Sequence, residues 1–264
     1  MHPLRPPISA AACALLLACA PDPDRSDARP AGPPAALASG LVLQEIAIGN
    51  GESAAEGCYV ALHYDARISA VGGLARNDPV YDSTRAGDPF LARLGRTPLL
   101  PGFAEGVLGM KEGGRRRLTI PPGLAYAGLG KGRVPPDATL EYDVELVDVF
   151  TRNASGLQYR VVAAGVGAPP VAGDRVVVRH RAWLLETGRE LTSSRMLGRD
   201  LEFELGRGTA IPGLEEALLA MRRGARWILA LPPELGYGPA GRFPVLLPGH
   251  EIVMDVELLG TRPR

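Results

Sequence analysis

The chain has 264 residues, 46% hydrophobic and 22% charged, and its 29 basic and 29 acidic residues cancel to a formal net charge of zero. That balance suits one large or two small packed domains. It excludes nucleic acid as an expected partner, because such binders carry a clustered basic excess. The basic runs Arg115-Arg116-Arg117 and Arg222-Arg223 read as solvated charges beside strands. The cysteines are Cys13, Cys19 and Cys58, and the histidines His2, His63, His180 and His250 are scattered, so no metal site and no cofactor is expected.

Residues 1–18 hold Arg5 and then a short apolar run, Ile8 to Ala18, too short to span a bilayer as a mature helix. The run ends Leu16-Leu17-Ala18-Cys19. This resembles the lipobox of bacterial lipoproteins, which implies lipidation of Cys19 and a membrane partner held through that lipid anchor. Ala20 in place of an aspartate leans toward the outer membrane, facing the periplasm. Residues 19–40 are rich in alanine and proline, including Pro21, Pro23, Pro30, Pro33 and Pro34, and lack apolar periodicity. They are expected to form a semi-extended tether.

Beyond the tether, Cys58, Val60, Leu62, Tyr64, Ala66 and Ile68 alternate with more polar neighbours, as in a strand buried on one face. After Pro101-Gly102, the spacing of Phe103, Val107 and Met110 predicts a short helix. Leu140, Tyr142, Val144 and Leu146 then alternate with Glu141, Asp143 and Glu145, giving another strand. The pattern then recurs. Ser39-Gly40-Leu41 returns as Ser155-Gly156-Leu157, Gly102-x-x-Glu105 as Gly213-x-x-Glu216, and Asp143-Val144-Glu145-Leu146 as Asp255-Val256-Glu257-Leu258. An offset of 110 to 116 residues means two copies of one domain, joined near Thr151 to Ser155. The expected fold class is α+β: two domains, 41–150 and 151–264, each an antiparallel sheet wrapped around one short helix.

Four segments of the first copy carry a family resemblance: Tyr81-Asp82-Ser83-Thr84-Arg85, Leu99-Leu100-Pro101-Gly102-Phe103-x-Glu105-Gly106, Leu118-Thr119-Ile120-Pro121-Pro122 with Ala125-Tyr126, and Val134-Pro135-Pro136-x-Ala138-Thr139-Leu140-x-Tyr142-Asp143-Val144-Glu145-Leu146. In this order they resemble the FKBP, or immunophilin, family of peptidyl-prolyl cis-trans isomerases over residues 41 to 150. The resemblance implies an aromatic cup. Asp82, Tyr126 and Tyr64 would be its catalytic residues, and Tyr81, Phe90, Leu99, Leu100, Phe103, Val134 and Tyr142 would bind substrate. It further implies proline-containing polypeptides as partners and the macrolide inhibitors of the family as ligands. Tyr81, Phe103 and Tyr142 depart from the family's usual residues but keep a ring. Ala127 stands where the family has glycine, and Val71 to Pro79 is an insertion.

The second copy keeps the framework and loses the rings. Leu191-Thr192 stands where Tyr81-Asp82 stood, Leu201 replaces Phe90, Leu214 replaces Phe103, and Met254 replaces Tyr142. The partner of Tyr64 is His180 by strand alternation or Arg181 by loop length, and alternation is preferred because a one-residue slip turns the apolar face outward. Ile211 and Tyr237 remain, while Phe203, Trp183 and Trp227 are expected in the core. The expected function is a prolyl isomerase that assists folding of exported proteins in a bacterial envelope, acting through the first domain. The alternative is a non-catalytic, client-binding lipoprotein that uses both domains.

Overall fold

The computed structural model describes residues 32–241 and 249–262. The expected signal at 1–18, the expected lipidation site at Cys19 and most of the expected tether lie outside them.

The first domain comprises β1 (Ala35–Ala36), β2 (Val42–Ala47), β3 (Tyr59–Val71), β4 (Leu74–Ala75), β5 (Asp82–Ser83), β6 (Phe90–Arg93), helix α1 (Pro101–Val107), β7 (Arg115–Ile120) and β8 (Ala138–Val149). The sheet runs β1-β2-β7-β8-β3-β4, with β5 and β6 also pairing with β3. Ala35 and Ala36, placed by sequence in the tether, pair with Leu43 and Val42. They fold back through a turn closed by the Gly40 N–H donating to the Leu37 carbonyl. The insertion after Val71 begins as a hairpin, with Gly72-Gly73 at its tip and Val71 paired with Leu74.

The second domain repeats this plan with β9 (Thr151–Arg152), β10 (Gln158–Ala163), β11 (Arg175–Leu184), β12 (Glu190–Ser193), helix α2 (Ser194–Leu197), β13 (Leu201–Glu204), helix α3 (Pro212–Leu218), β14 (Arg226–Leu231) and β15 (Ile252–Arg262). Helix α2 goes beyond the single helix expected. The Ser193 side chain accepts from the Met196 N–H at its start, and Gly198 closes it in the left-handed conformation.

The repeated motifs have a shared physical role. Ser39 donates to Glu105 at 2.9 Å, and Ser155 donates to Glu216 at 2.8 Å, so each tight turn is tied to its domain's helix. Gly102 and Gly213 lie against Ile120 and Leu231, where a Cβ would approach side-chain carbons at 2.5 and 2.4 Å. Only glycine lets the helix sit this close to the sheet. Arg116 corrects the expectation of solvated charges in the basic run. It is 8% exposed, paired with Glu45, and donates to the Gly106 carbonyl at 2.7 Å and to the Leu108 carbonyl at 3.2 Å. A helix end leaves such carbonyls without intrahelical donors, and the guanidinium supplies them.

The two sheets pack back to back. In β3, Val60, Leu62 and Ala66 face the first core, while Tyr59 and Ala61 face the second domain. In β14, Trp227, Leu229 and Leu231 face their own core, while Ile228 and Ala230 face the first domain. Leu91, Val147 and Phe150 from the first domain and Trp183, Leu185 and Val253 from the second complete the interface. Polar groups lock its edges. Glu251, 3% exposed, accepts from the Tyr59 hydroxyl and pairs with Arg93, and Gln158 accepts from the Tyr59 N–H at 3.1 Å. At another edge Arg160 of the second domain reaches Asp148 of the first at 2.9 Å, and burial pushes the Asp148 carboxyl up to about 6.

Candidate active site

Four aromatic rings converge on the open side of the first sheet. Tyr64 comes from β3, Phe90 from β6, Phe103 from α1 and Tyr142 from β8. Phe103 is 4% exposed and forms the floor, edge-on to Tyr142 with centroids 5.2 Å apart and to Tyr64 at 5.8 Å. The Tyr64 ring also meets Phe90 edge-on at 6.1 Å. Edge-to-face packing of this kind fixes the rings and leaves a concave surface. The cavity above them, about 140 Å³, is lined by Tyr64, Asp82, Phe90, Pro98, Leu99, Leu100, Phe103, Tyr126 and Tyr142.

Pairing in the sheet sets this geometry. Tyr64 lies opposite Val144 and Ala66 opposite Tyr142, while Ala66 also pairs with Asp82 on the other side. Tyr64 and Asp82 are thereby brought within reach, and the Tyr64 hydroxyl donates to the Asp82 carboxylate at 3.0 Å. Burial and then the negative charge of Asp82 raise the phenol pKa of Tyr64 well above its ordinary value. The same two causes raise that of Tyr126. Both hydroxyls therefore stay protonated and able to donate at neutral and mildly alkaline pH. Tyr126 caps a single turn at the rim, with the Lys131 ammonium 5.5 Å from its ring centroid. The next residue, Ala127, has φ of +50°, a left-handed conformation unfavourable for a side chain with a Cβ.

Eight of the ten residues proposed from sequence thus line one cavity, and two do not. Val134 is 5% exposed and belongs to the hydrophobic core, where it supports the cup without lining it. Tyr81 is half-buried beside the cup, its hydroxyl 3.1 Å from that of Tyr142, so it holds a cup residue in place. Sequence reasoning missed Pro98. Its position directly before Leu99-Leu100 was the available signal.

The second domain shows what replaces the rings. His180 pairs with Val256 as Tyr64 pairs with Val144, which settles the register in favour of His180 over Arg181. Thr192 pairs with Ala182 as Asp82 pairs with Ala66. The His180 ring lies 3.4 Å from the Thr192 hydroxyl and 3.2 Å from that of Ser194, and burial lowers its pKa. The cavity there, about 640 Å³, is lined by Leu191, Leu201, Ile211, Leu214 and Met254, by Phe203 and Tyr237, and by polar residues including His180, Thr192, Glu202 and Glu204. Trp227 packs in the core, stacked on Tyr159 at 4.5 Å, as expected. Trp183 does not. It packs against the interdomain cluster, because it follows Ala182 on a strand whose even-numbered residues face the core.

Residues 50–147 and 167–259 each match the family described as FKBP-type peptidyl-prolyl cis-trans isomerase. The mouse peptidyl-prolyl cis-trans isomerase FKBP9 is 29% identical over 205 residues, covering 77% of this chain and 35% of that protein. Human FKBP10 is 32% identical over 206 residues, covering 77% of this chain and 34% of that protein. The chain therefore spans about a third of the length of these curated relatives. Arabidopsis thaliana FKBP15-3 is 38% identical over 112 residues, covering 42% of this chain and 74% of that protein. With two matched segments that together fill most of the sequence, the chain belongs to the FKBP-type peptidyl-prolyl cis-trans isomerase family.

Proposed function

We propose that the first domain isomerises X-Pro bonds in polypeptides, and that the chain does so as a lipid-anchored folding helper for exported proteins in a bacterial envelope. The observation that carries the enzymatic reading is the convergence of four rings, the Tyr126 hydroxyl and the Tyr64–Asp82 pair on one small cavity. The envelope reading is supported by Leu16-Leu17-Ala18-Cys19.

The amide must lose its resonance to rotate, which gives a barrier of roughly 18–20 kcal/mol, although trans is favoured by only about 0.5–1 kcal/mol. A twisted amide has less charge separation than a planar one. An apolar cup walled by Tyr64, Phe90 and Tyr142 over Phe103 therefore disfavours the planar form relative to the twisted one. This is catalysis by differential binding and needs no nucleophile. The Tyr126 hydroxyl donates to the substrate carbonyl, and Asp82 fixes the orientation of Tyr64.

A protease-free X-Pro isomerisation assay on the full chain tests this. Wild type should accelerate the reaction, Tyr126→Phe and Asp82→Ala should each lower kcat/KM by about tenfold, and the wild-type rate should stay flat from about pH 6 to 9 while both phenols keep their protons. A folded wild type without activity would shift the function to client binding. The larger cavity of the second domain favours that second reading.

A further inference from the structure

Strand β6 is a wall with two faces. Phe90 and Ala92 pack toward the first core, and Leu91 packs into the interdomain cluster. Phe90 therefore lines two cavities, the cup and a cleft of about 660 Å³ between the domains. The first domain contributes Asp88, Pro89 and Leu91 to the cleft, and the second contributes Val162, Trp183 and Ile228. Its apolar surface is available to a ligand. Val162 is 41% exposed and Trp183 is half-buried, with the Arg181 guanidinium 5.3 Å from its ring centroid.

The arginines at the cleft are already paired, while the carboxylates Asp88 and Glu186 also line it, Glu186 lying 3.4 Å from the His250 ring. Arg181 meets Glu190 at 3.0 Å, Arg160 meets Asp148 at 2.9 Å, and Arg226 meets Asp255 at 2.9 Å, with Asp88 of the first domain also acting on Arg226. The apolar part of the lining, Leu91, Val162, Trp183 and Ile228, suits an apolar or aromatic side chain of a ligand.

The geometry points to this cleft as an extended subsite for the stretch of substrate polypeptide flanking the isomerised proline, with Trp183 anchoring an apolar or aromatic side chain of that stretch. The inference rests on the isomerase reading of the cup. The cup has room for little beyond a proline ring, far below the 300–1,000 Å³ typical of ligand pockets, whereas the cleft falls inside that range. Phe90 lines both, so the two cavities adjoin at β6. The back-to-back packing of the sheets holds Trp183 at a fixed position relative to the cup, which suits an aromatic anchor. The second domain, without the rings of the cup, thus adds binding energy at a distance from the reacting amide.

The test compares two probes on the full chain: a tetrapeptide with one X-Pro bond, and an unfolded protein whose refolding is limited by prolyl isomerisation. The variants are Trp183→Ala and Val162→Glu. The second changes an exposed residue outside the packed interface, so it reports even if the first disturbs docking. Both variants should keep kcat/KM for the tetrapeptide within about twofold of wild type and lower it for the unfolded protein by about tenfold. Unchanged rates on the protein substrate, or equal losses on both probes, overturn the inference and leave the isomerase reading standing. A wild type inactive on both probes overturns the isomerase reading itself and takes the subsite with it.

Discussion

Tyr64 in the first domain and His180 in the second hold the same place in the same strand, and each makes a polar contact to the residue that strand pairing sets beside it, Asp82 or Thr192. Around Tyr64 stand Phe90, Phe103 and Tyr142, and around His180 stand Leu201, Leu214 and Met254. One framework thus supports a tight aromatic cup and a wider cavity. The backs of the two sheets differ in the opposite sense. In β7 buried residues alternate with half-buried ones, whereas β14 is buried at every position after Arg226. The first domain keeps the rings on its open face, and both domains contribute their backs to the interface, the first through β3 and the second through β14.

The largest expected effect comes from erasing the difference between the cups. Carrying the second domain's residues into the first, as Tyr64→His, Asp82→Thr, Phe103→Leu and Tyr142→Met together, should lower kcat/KM by about a thousandfold, ~4 kcal/mol in the barrier. The domain should still fold, since the same residues pack on this framework in the second copy. An undiminished rate in the isomerisation assay would show the rings to be idle.

A smaller effect is expected at the backs. Glu251→Ala removes the acceptor of Tyr59 and the partner of Arg93 in a buried setting. It should cost about 3 kcal/mol in denaturant unfolding and split one transition into two as the domains uncouple. A single transition at the wild-type midpoint would show that the apolar interface alone couples them.

The smallest concerns one backbone position. Ala127 sits at φ of +50°, and its counterpart after Tyr237 is Gly238 at φ of +76°. Ala127→Gly should stabilise the first domain by about 1 kcal/mol, read as a higher unfolding midpoint. A loss of stability would mean that the Ala127 methyl packs well enough to offset its strained backbone.

Much of the site was legible because it is built from local signals. The ring-bearing segments follow one another in a recognisable order, and strict alternation in β3 and β11 is enough to assign Tyr64 and His180 to the core side, where their pairing with β8 and β15 places them. Alternation works because a one-residue slip would expose the whole apolar face. Val134 and Tyr81 fall outside the cavity lining for a complementary reason. A residue's order in a motif says which element it belongs to, not whether it reaches the cavity.

The sequence by itself determined the repeat, the α+β character of each copy, the aromatic set and its loss in the second copy, because these depend on residue type and short-range period. Only the tertiary structure decided that Arg116 closes the end of α1, that Trp183 packs against the first domain, and that the two sheets meet back to back around Tyr59, Phe150 and Ile228. Period two distinguishes the faces of a strand, but what covers the outer face depends on residues more than a hundred positions away, and no local pattern encodes that pairing.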